Sequence, residues 1–318
     1  MKRIGNLYEM IYDLDNLRLA DKKAQKGKSK QMGVIIHNRR LEDNLLDLHE
    51  RLKAKTYKTS DYIQFKVIDR KERDVFRLPY YPDRICHHAI MNVLEPIFVA
   101  NFTADTYSCI KGRGIHGGLN NLELALQDVV DTKYCLQIDV KKFYENIDHD
   151  ILKALLRRKF KDKDLLWLLD EIIDSTSGVP IGNYLSQYFA NFYLSYFDHW
   201  IKEQKRVKYY FRYADDIVIL APDKPSLHAL LSDIREYLSV NLKLTVKKNY
   251  QVFPVSARGI NYLGVISYHY RYRRLRKSIK QRYARALKRN PSQQTKGAYK
   301  GWTDTANCKH LVKKLLSQ

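Results

Sequence analysis

The tetrapeptide Tyr213-Ala214-Asp215-Asp216 lies between two apolar runs, residues 207–213 and 217–220. The pattern predicts two strands joined by a hairpin with acids at its tip. A third acid, Asp139, ends a separate strand-like run over 134–139. Adjacent carboxylates on a sheet repel one another unless one is protonated or a cation is present. Hard divalent cations want oxygen ligands, and magnesium is typically held by a few carboxylates plus substrate phosphates. Two such ions about 3.5–4 Å apart can activate an attacking hydroxyl and stabilise the leaving oxygen of an in-line displacement. Asp139, Asp215 and Asp216 are the ligand set that chemistry needs. Asp is also a common turn residue, so the tetrapeptide alone is equally an ordinary polar turn.

The elements that must position these acids are legible in outline. Residues 4–26 read as one helix, with Leu7, Met10, Ile11, Leu14 and Leu17 at three-to-four spacing, and 41–52 as a second. Residues 62–68 and 75–78 read as strands around a charged turn, 69–74. Helices follow over 84–99 and, after a glycine-rich loop at 112–118, to about 131. Beyond Asp139, 148–160 and 164–173 are helical, 183–203 reads as one long helix, and 226–240 follows the hairpin. Short strands end near 264–268, and the remainder is basic and mostly helical. The order predicts an α+β fold whose antiparallel sheet carries the acids. Asn183, Gln187, Asn191 and Ser195 recur every four residues and form a polar stripe, by default a hydrated outer face.

Lys and Arg outnumber Asp and Glu by 57 to 35, a net charge of +22. That excess points to a polyanionic partner, most often nucleic acid. It is concentrated at the end: residues 268–318 hold fifteen Lys or Arg and one acid, Asp304. A solvated helix face normally mixes signs, so this tail reads as a phosphate-contacting surface. The four cysteines show no C-x-x-C spacing, which disfavours a structural zinc site and suits buried thiols in a reducing cytoplasm. The first twelve residues lack the apolar core of a signal peptide, and no segment approaches eighteen apolar residues. A cytoplasmic protein without membrane contact is expected.

Several stretches together carry a family resemblance. Asp139 with Phe143-Tyr144, then Pro180-Ile181-Gly182-Asn183-Tyr184-Leu185-Ser186-Gln187, Tyr213-Ala214-Asp215-Asp216 and Ile260-Asn261-Tyr262-Leu263-Gly264 resemble the ordered motifs of reverse transcriptases. Upstream, Leu78-Pro79-Tyr80-Tyr81-Pro82-Asp83-Arg84 and the stretch from Tyr107 to Gly114 resemble the first two motifs. Most of that family reads Pro-Gln-Gly and Ser-Pro where this chain has Pro180-Ile181-Gly182 and Ser186-Gln187. This departure, with His87-His88-Ala89-Ile90, Glu95-Pro96-Ile97-Phe98, residues 105–116 and Gly301-Trp302, is similar to the reverse transcriptases of diversity-generating retroelements. Those enzymes copy a template-repeat RNA, misincorporate opposite adenines, and supply cDNA that replaces a variable region in a target gene.

The resemblance implies a right-hand polymerase: N-terminal extension and fingers over 1–136, palm over 137–264, thumb over 265–318. It implies two Mg2+ ions on Asp139, Asp215 and Asp216, with Val140 beside them. Tyr144, next to Phe143, would pack under the nucleotide sugar and exclude a 2′-hydroxyl. Arg70, Lys71 and Arg73 would face the incoming triphosphate, and Lys248 the leaving pyrophosphate. For both groups a plain solvated surface remains an alternative. Ile181, Gly182, Asn183 and Gln187 would lie beneath nucleotide and template, with Ile181 lacking a side-chain donor toward the nucleotide. His87 and His88 read as packing or RNA contacts. Arg273, Arg274, Arg276 and Lys277 would meet nucleic acid. Partners implied are template RNA, cDNA, dNTPs and a small basic helical accessory protein that is oligomeric. No room is expected after the thumb for a nuclease or maturase domain. Another bacterial reverse transcriptase, such as a phage-defence enzyme, and a non-catalytic RNA-binding scaffold of the same fold are the alternatives.

Overall fold

The computed structural model describes residues 3–69, 71–270 and 272–316. The chain forms two compact units that interleave in sequence. Met1–Thr103, Lys141–Asp198 and Leu238–Leu244 make the first; Ala104–Val140, His199–Tyr237 and Thr245–Gln318 make the second.

The first unit begins with α1 (Tyr8–Tyr12), α2 (Leu14–Ala24), α3 (Met32–Asn38) and α4 (Leu41–Lys53). The single helix expected over 4–26 is broken at Asp13. Its backbone is extended (ψ 134°), and its carboxylate accepts hydrogen bonds from the Asp15 and Asn16 N–H groups. That side chain supplies the partners that a helix start otherwise lacks. Next come the antiparallel strands β1 (Ile63–Asp69) and β2 (Lys71–Arg77), in which Asp69 pairs with Lys71. The charged turn expected over 69–74 is therefore mostly strand: Lys71 and Arg73 belong to β2. Arg70 lies outside the described residues. Helix α5 (Ile85–Asn101) buries His87 and His88 along with its apolar residues.

In the second unit α6 (Gly114–Ala125) starts inside the expected glycine loop, with Gly118 against the Tyr107 ring. Strand β3 (Tyr134–Asp139) ends on the acid, as the sequence suggests. Returning to the first unit, α7 (His149–Lys159) and α8 (Lys163–Asp174) are capped by Asp148 and Asp162, whose carboxylates accept from the Ile151 and Leu165 N–H groups. Asp162 also accepts from the N–H groups of Leu7 and Tyr8, at 2.7 and 3.0 Å, tying the start of the chain to α8.

The long helix expected over 183–203 is three pieces: α9 (Tyr184–Tyr193), α10 (Ser195–His199) and a π turn at Trp200–Gln204. At the first break the Ser195 hydroxyl donates to the Phe192 carbonyl at 2.7 Å, competing with the backbone ladder. The polar stripe is not a hydrated face. Asn183, Asn191 and Ser195 are buried, and only Gln187 is exposed.

Strands β4 (Tyr209–Tyr213) and β5 (Asp216–Ala221) form the expected hairpin; α11 (Lys224–Leu242), β6 (Gln251–Pro254) and α12 (Val255–Arg258) follow. The sheet order is β4-β5-β3-β6, antiparallel throughout. Central β5 is buried through Ile217, Val218, Ile219 and Leu220. One face packs Cys135, Phe211, Val218 and Phe253 against Tyr107, Leu122 and Tyr262. The tail adds a small sheet, β7 (Ile260–Tyr262), β8 (Val265–Ser267) and β9 (Arg273–Leu275), then α13 (Lys277–Arg289), α14 (Gln293–Asp304) and α15 (Lys309–Leu316). Leu119, Val265, Leu275, Ile279 and Cys308 form its core. Among the described residues no helix is long and apolar enough to cross a membrane, and the four cysteines are unpaired.

Candidate active site

The second unit brings the three acids together. Asp139 on β3 is the register partner of Asp216 on β5, and Tyr213 pairs with Asp216 across the hairpin, leaving Ala214 and Asp215 as its two-residue tip. Directly opposed residues on antiparallel strands hold their Cβ atoms about 4.5–5.5 Å apart, so two carboxylates there face one another. Ala214 takes φ +54°, a conformation a side chain adopts at a cost. The tip is held from below by Arg212, which is fully buried. Its guanidinium donates to the Ala214 carbonyl at 3.1 Å and to the Thr106 hydroxyl at 3.5 Å. The Val140 N–H reaches the Asp215 carbonyl at 3.4 Å, so Val140 ties the end of β3 to the tip.

The site is short of positive charge. Burial, with Asp139 as the next cause, pushes the Asp215 carboxyl up to about 6 and that of Asp216 up to about 7. Lys247 opposes this: its ammonium lies 2.6 Å from Asp139 Oδ1, and its N–H donates to the Asp139 carbonyl at 2.8 Å. Arg276 also acts on Asp216, while its Nε donates to Asn261 at 2.8 Å. Even against these cations Asp215 and Asp216 keep a raised affinity for protons, and a hard divalent cation would relieve the same repulsion. Among the described residues no three His, Cys, Asp or Glu side chains form a ready-made metal cluster.

The raised carboxyls make stability depend on pH. Both bind protons more tightly folded than unfolded, where an aspartate titrates near about 3.9. Stability therefore falls as pH rises from about 4 through 7. The melting temperature in chelator should drop between about pH 5 and pH 8, and Asp216→Asn should reduce that drop. Equal pH profiles for the two proteins would remove Asp216 as the source.

The first unit gathers the nucleotide-site candidates. Phe143 is buried and Tyr144, half-buried, meets it edge-on at 5.4 Å. The Tyr144 carbonyl accepts from the Val179 N–H at 2.8 Å, and the Ile181 carbonyl from the Phe76 N–H at 2.9 Å. These bonds hang the Pro180-Ile181-Gly182 segment between Tyr144 and strand β2. Gly182 has φ +123°, and a Cβ there would stand 2.3 Å from the Phe76 carbonyl oxygen, so only glycine permits the approach.

Other expected residues sit differently. The Asn183 amide donates to the Tyr62 hydroxyl at 2.9 Å, which gives it an internal partner. Arg273 was expected to meet nucleic acid, but its guanidinium is engaged by α6: Glu123 lies at 2.8 Å and the Leu119 carbonyl at 2.7 Å. Arg274, Lys277 and Lys248 are exposed, as are Arg73 and Gln187. Sequence reasoning missed Arg212 and Lys247. A lone arginine inside the apolar run 207–213 was a usable signal, because a buried charge needs partners. Nothing in the sequence separated Lys247 from Lys248; the bridge between Val140 and Val246 does so by directing the next residue onto Asp139.

An antiparallel sheet bearing acids on adjacent strands, set in an α+β chain, is the frame of a right-hand polymerase fold. Residues 69–267, more than half of the chain, match the family model for reverse transcriptase (RNA-dependent DNA polymerase), and the protein belongs to that family. It is 24% identical over 232 residues to protein YkfC of Escherichia coli (strain K12), covering 59% of this chain and 61% of that one. It is 22% identical over 177 residues to the group II intron-encoded protein LtrA of Lactococcus lactis subsp. cremoris, covering 52% of this chain and 29% of LtrA. The chain thus spans less than two thirds of either relative. Telomerase from Candida albicans, solved with a fragment of telomeric RNA, shares the fold at a TM-score of 0.54 and 12% identity, over 74% of this chain and 52% of that one.

Proposed function

We propose that the protein is an RNA-directed DNA polymerase that joins dNTPs through Asp139, Asp215 and Asp216. The observation that carries this is the register pairing of Asp139 with Asp216 beside the Asp215 tip, in a chain of the reverse transcriptase family. Bound Mg2+ would supply charge for the attacking 3′-hydroxyl and the leaving pyrophosphate. The chain's own part is to hold the carboxylates: β3 and β5 fix two of them and Arg212 braces the third. Lys247 orients Asp139. By the resemblance Tyr144, Ile181 and Gly182 would take the nucleotide, and Arg73, Arg274 and Lys277, all exposed, would meet phosphates. Functionally we assign fingers to 1–136, palm to 137–264 and thumb to 265–318. Primer extension on an RNA template with dNTPs and Mg2+ tests the proposal; no extension by the intact protein would overturn it.

Within that activity we infer a diversity-generating role: copying of a template-repeat RNA with errors opposite adenine, in the cytoplasm, beside a small basic helical, oligomeric accessory protein. Ile181 supports it, because isoleucine offers no hydrogen bond to the incoming nucleotide. A neutral hydrogen bond contributes on the order of 0.5–1.5 kcal/mol, so its absence raises misincorporation by roughly threefold to tenfold. Ile181→Gln should lower errors opposite adenine more than errors opposite other bases, read by sequencing cDNA made on one RNA containing all four. Identical error spectra would remove Ile181 from fidelity. The likeness to LtrA favours a second reading, an enzyme of the intron-encoded kind, and an error rate even across template bases would select it.

A further inference from the structure

In the first unit an arginine and two histidines gather at one helix start, with no ion pair among the described residues. Arg84 is the N-cap of α5, and His87 and His88 follow in its first turn, which holds no acid. A helix start carries partial positive charge and ordinarily favours acids. Among the described residues, Arg84 Nε and the Nε2 atoms of both histidines are buried without a hydrogen-bond partner. His88 is only 9% exposed, and its ring stacks on Tyr184 at 4.2 Å and 13°, on the first turn of α9.

Lys28 lies in the turn between α2 and α3, and its charge acts on Arg84 and on His88. Burial and Arg84 both weaken its hold on its proton; burial, then Arg84, His87 and Lys28, push His88 down to about 4. The nearby acids face other partners. Asp83 accepts through Oδ1 from the Tyr57 hydroxyl at 2.7 Å and the Ser60 N–H at 3.1 Å, while its buried Oδ2 has no hydrogen-bond partner among the described residues. Asp21 accepts from the Tyr80 hydroxyl at 2.5 Å and lies 3.2 Å from His37. Donors that are partly dry and carry nitrogens without partners are matched by an anion with several oxygens.

We propose that Lys28, Arg84 and His88 form a phosphate-binding site for the backbone of a nucleic-acid strand. A guanidinium offers paired donors to phosphate oxygens, the lysine adds a point charge, and neutral His88 donates through Nε2. The choice of a strand over a free nucleotide's phosphates rests on the reverse transcriptase reading.

The test is equilibrium binding of a single-stranded RNA oligonucleotide to the full chain across a salt series. Removing one phosphate interaction should flatten the slope of log K against log salt by about 0.7. Lys28→Gln, at a half-exposed turn, should show that flattening, and Lys163→Gln, with the same change in net charge, should not. Arg84→Gln should act like Lys28→Gln, while Arg84→Lys should keep the slope and bind more weakly. If Arg84→Gln fails to fold, Lys28→Gln decides alone. An unchanged slope for Lys28→Gln, or equal flattening by Lys163→Gln, overturns the site. A raised KM for dNTP with an unchanged slope also overturns it, in favour of a free-nucleotide site. Primer extension is measured on the same wild-type preparation. Extension with an unchanged slope sinks this site alone; a flattened slope without extension sinks the polymerase reading and leaves the site.

Discussion

Replacing Asp215 and Asp216 together by alanine should reduce primer extension by at least about a thousandfold, a barrier increase of about 4 kcal/mol. These carboxylates sit at the hairpin tip and directly across from Asp139, and burial and mutual repulsion hold both acids poised for a cation. Without them Asp139 remains with Lys247 as its cation, and that pair offers no second oxygen ligand for an incoming ion. RNA binding should survive, because the tail's charge is untouched and long-range attraction comes from its lysines and arginines. The metal-free variant should also be more stable than wild type near pH 8, since two crowded buried charges have gone. Primer extension, RNA titration and thermal unfolding on one preparation check all three. Extension at a comparable rate would show that the acids are not the catalytic ones. Loss of extension together with RNA binding would point to misfolding.

The second large effect is expected at Arg212. The residue is fully buried on β4, and its guanidinium holds the Ala214 carbonyl beneath a strained tip. Its backbone joins the hairpin to the preceding loop: its N–H donates to the Asp105 carbonyl at 2.9 Å, and its carbonyl accepts from Tyr107 at 3.0 Å. Arg212→Gln keeps those backbone bonds but withdraws the charge. A hydrogen bond from a charged group contributes about 1.5–3 kcal/mol, so a loss of roughly that size is expected in urea unfolding. Asp215 follows the braced residue, and a carboxylate displaced by about 1 Å costs about a hundredfold in rate. Arg212→Lys should recover part of the stability and less of the rate, because a single ammonium cannot hold two acceptors in a fork. A destabilised variant with wild-type kcat would make Arg212 a folding residue only; unchanged stability and rate would remove it from the site.

The strands that carry the acids could be read from the chain because their signal is local. An apolar run ending on Asp139 and two runs flanking Tyr213-Ala214-Asp215-Asp216 fix strand, hairpin and tip from alternation and turn chemistry alone. Local signals failed where a side chain competed with the backbone. Asp13 split the first helix, and Ser195 ended α9 early; both are short polar side chains that bond to nearby backbone groups in an otherwise helical pattern. The charged run 69–74 looked like a turn because charge disfavours burial, yet an exposed hairpin strand tolerates charge on both faces, and pairing took Lys71 and Arg73 into β2.

Sequence alone determined the acids, the excess of positive charge and the basic helical tail, since each follows from residue type and spacing. Tertiary structure decided what each polar residue does. Strand register set Asp139 against Asp216 and directed Lys247 onto Asp139. Packing turned Asn183 toward Tyr62 and Arg273 toward Glu123, and it buried Arg212 under the tip. A one-residue shift in a strand sends a side chain to the opposite face, and a buried charge takes whichever partners the fold brings within about 3 Å. Both join distant parts of the chain, and neighbouring residues do not encode them.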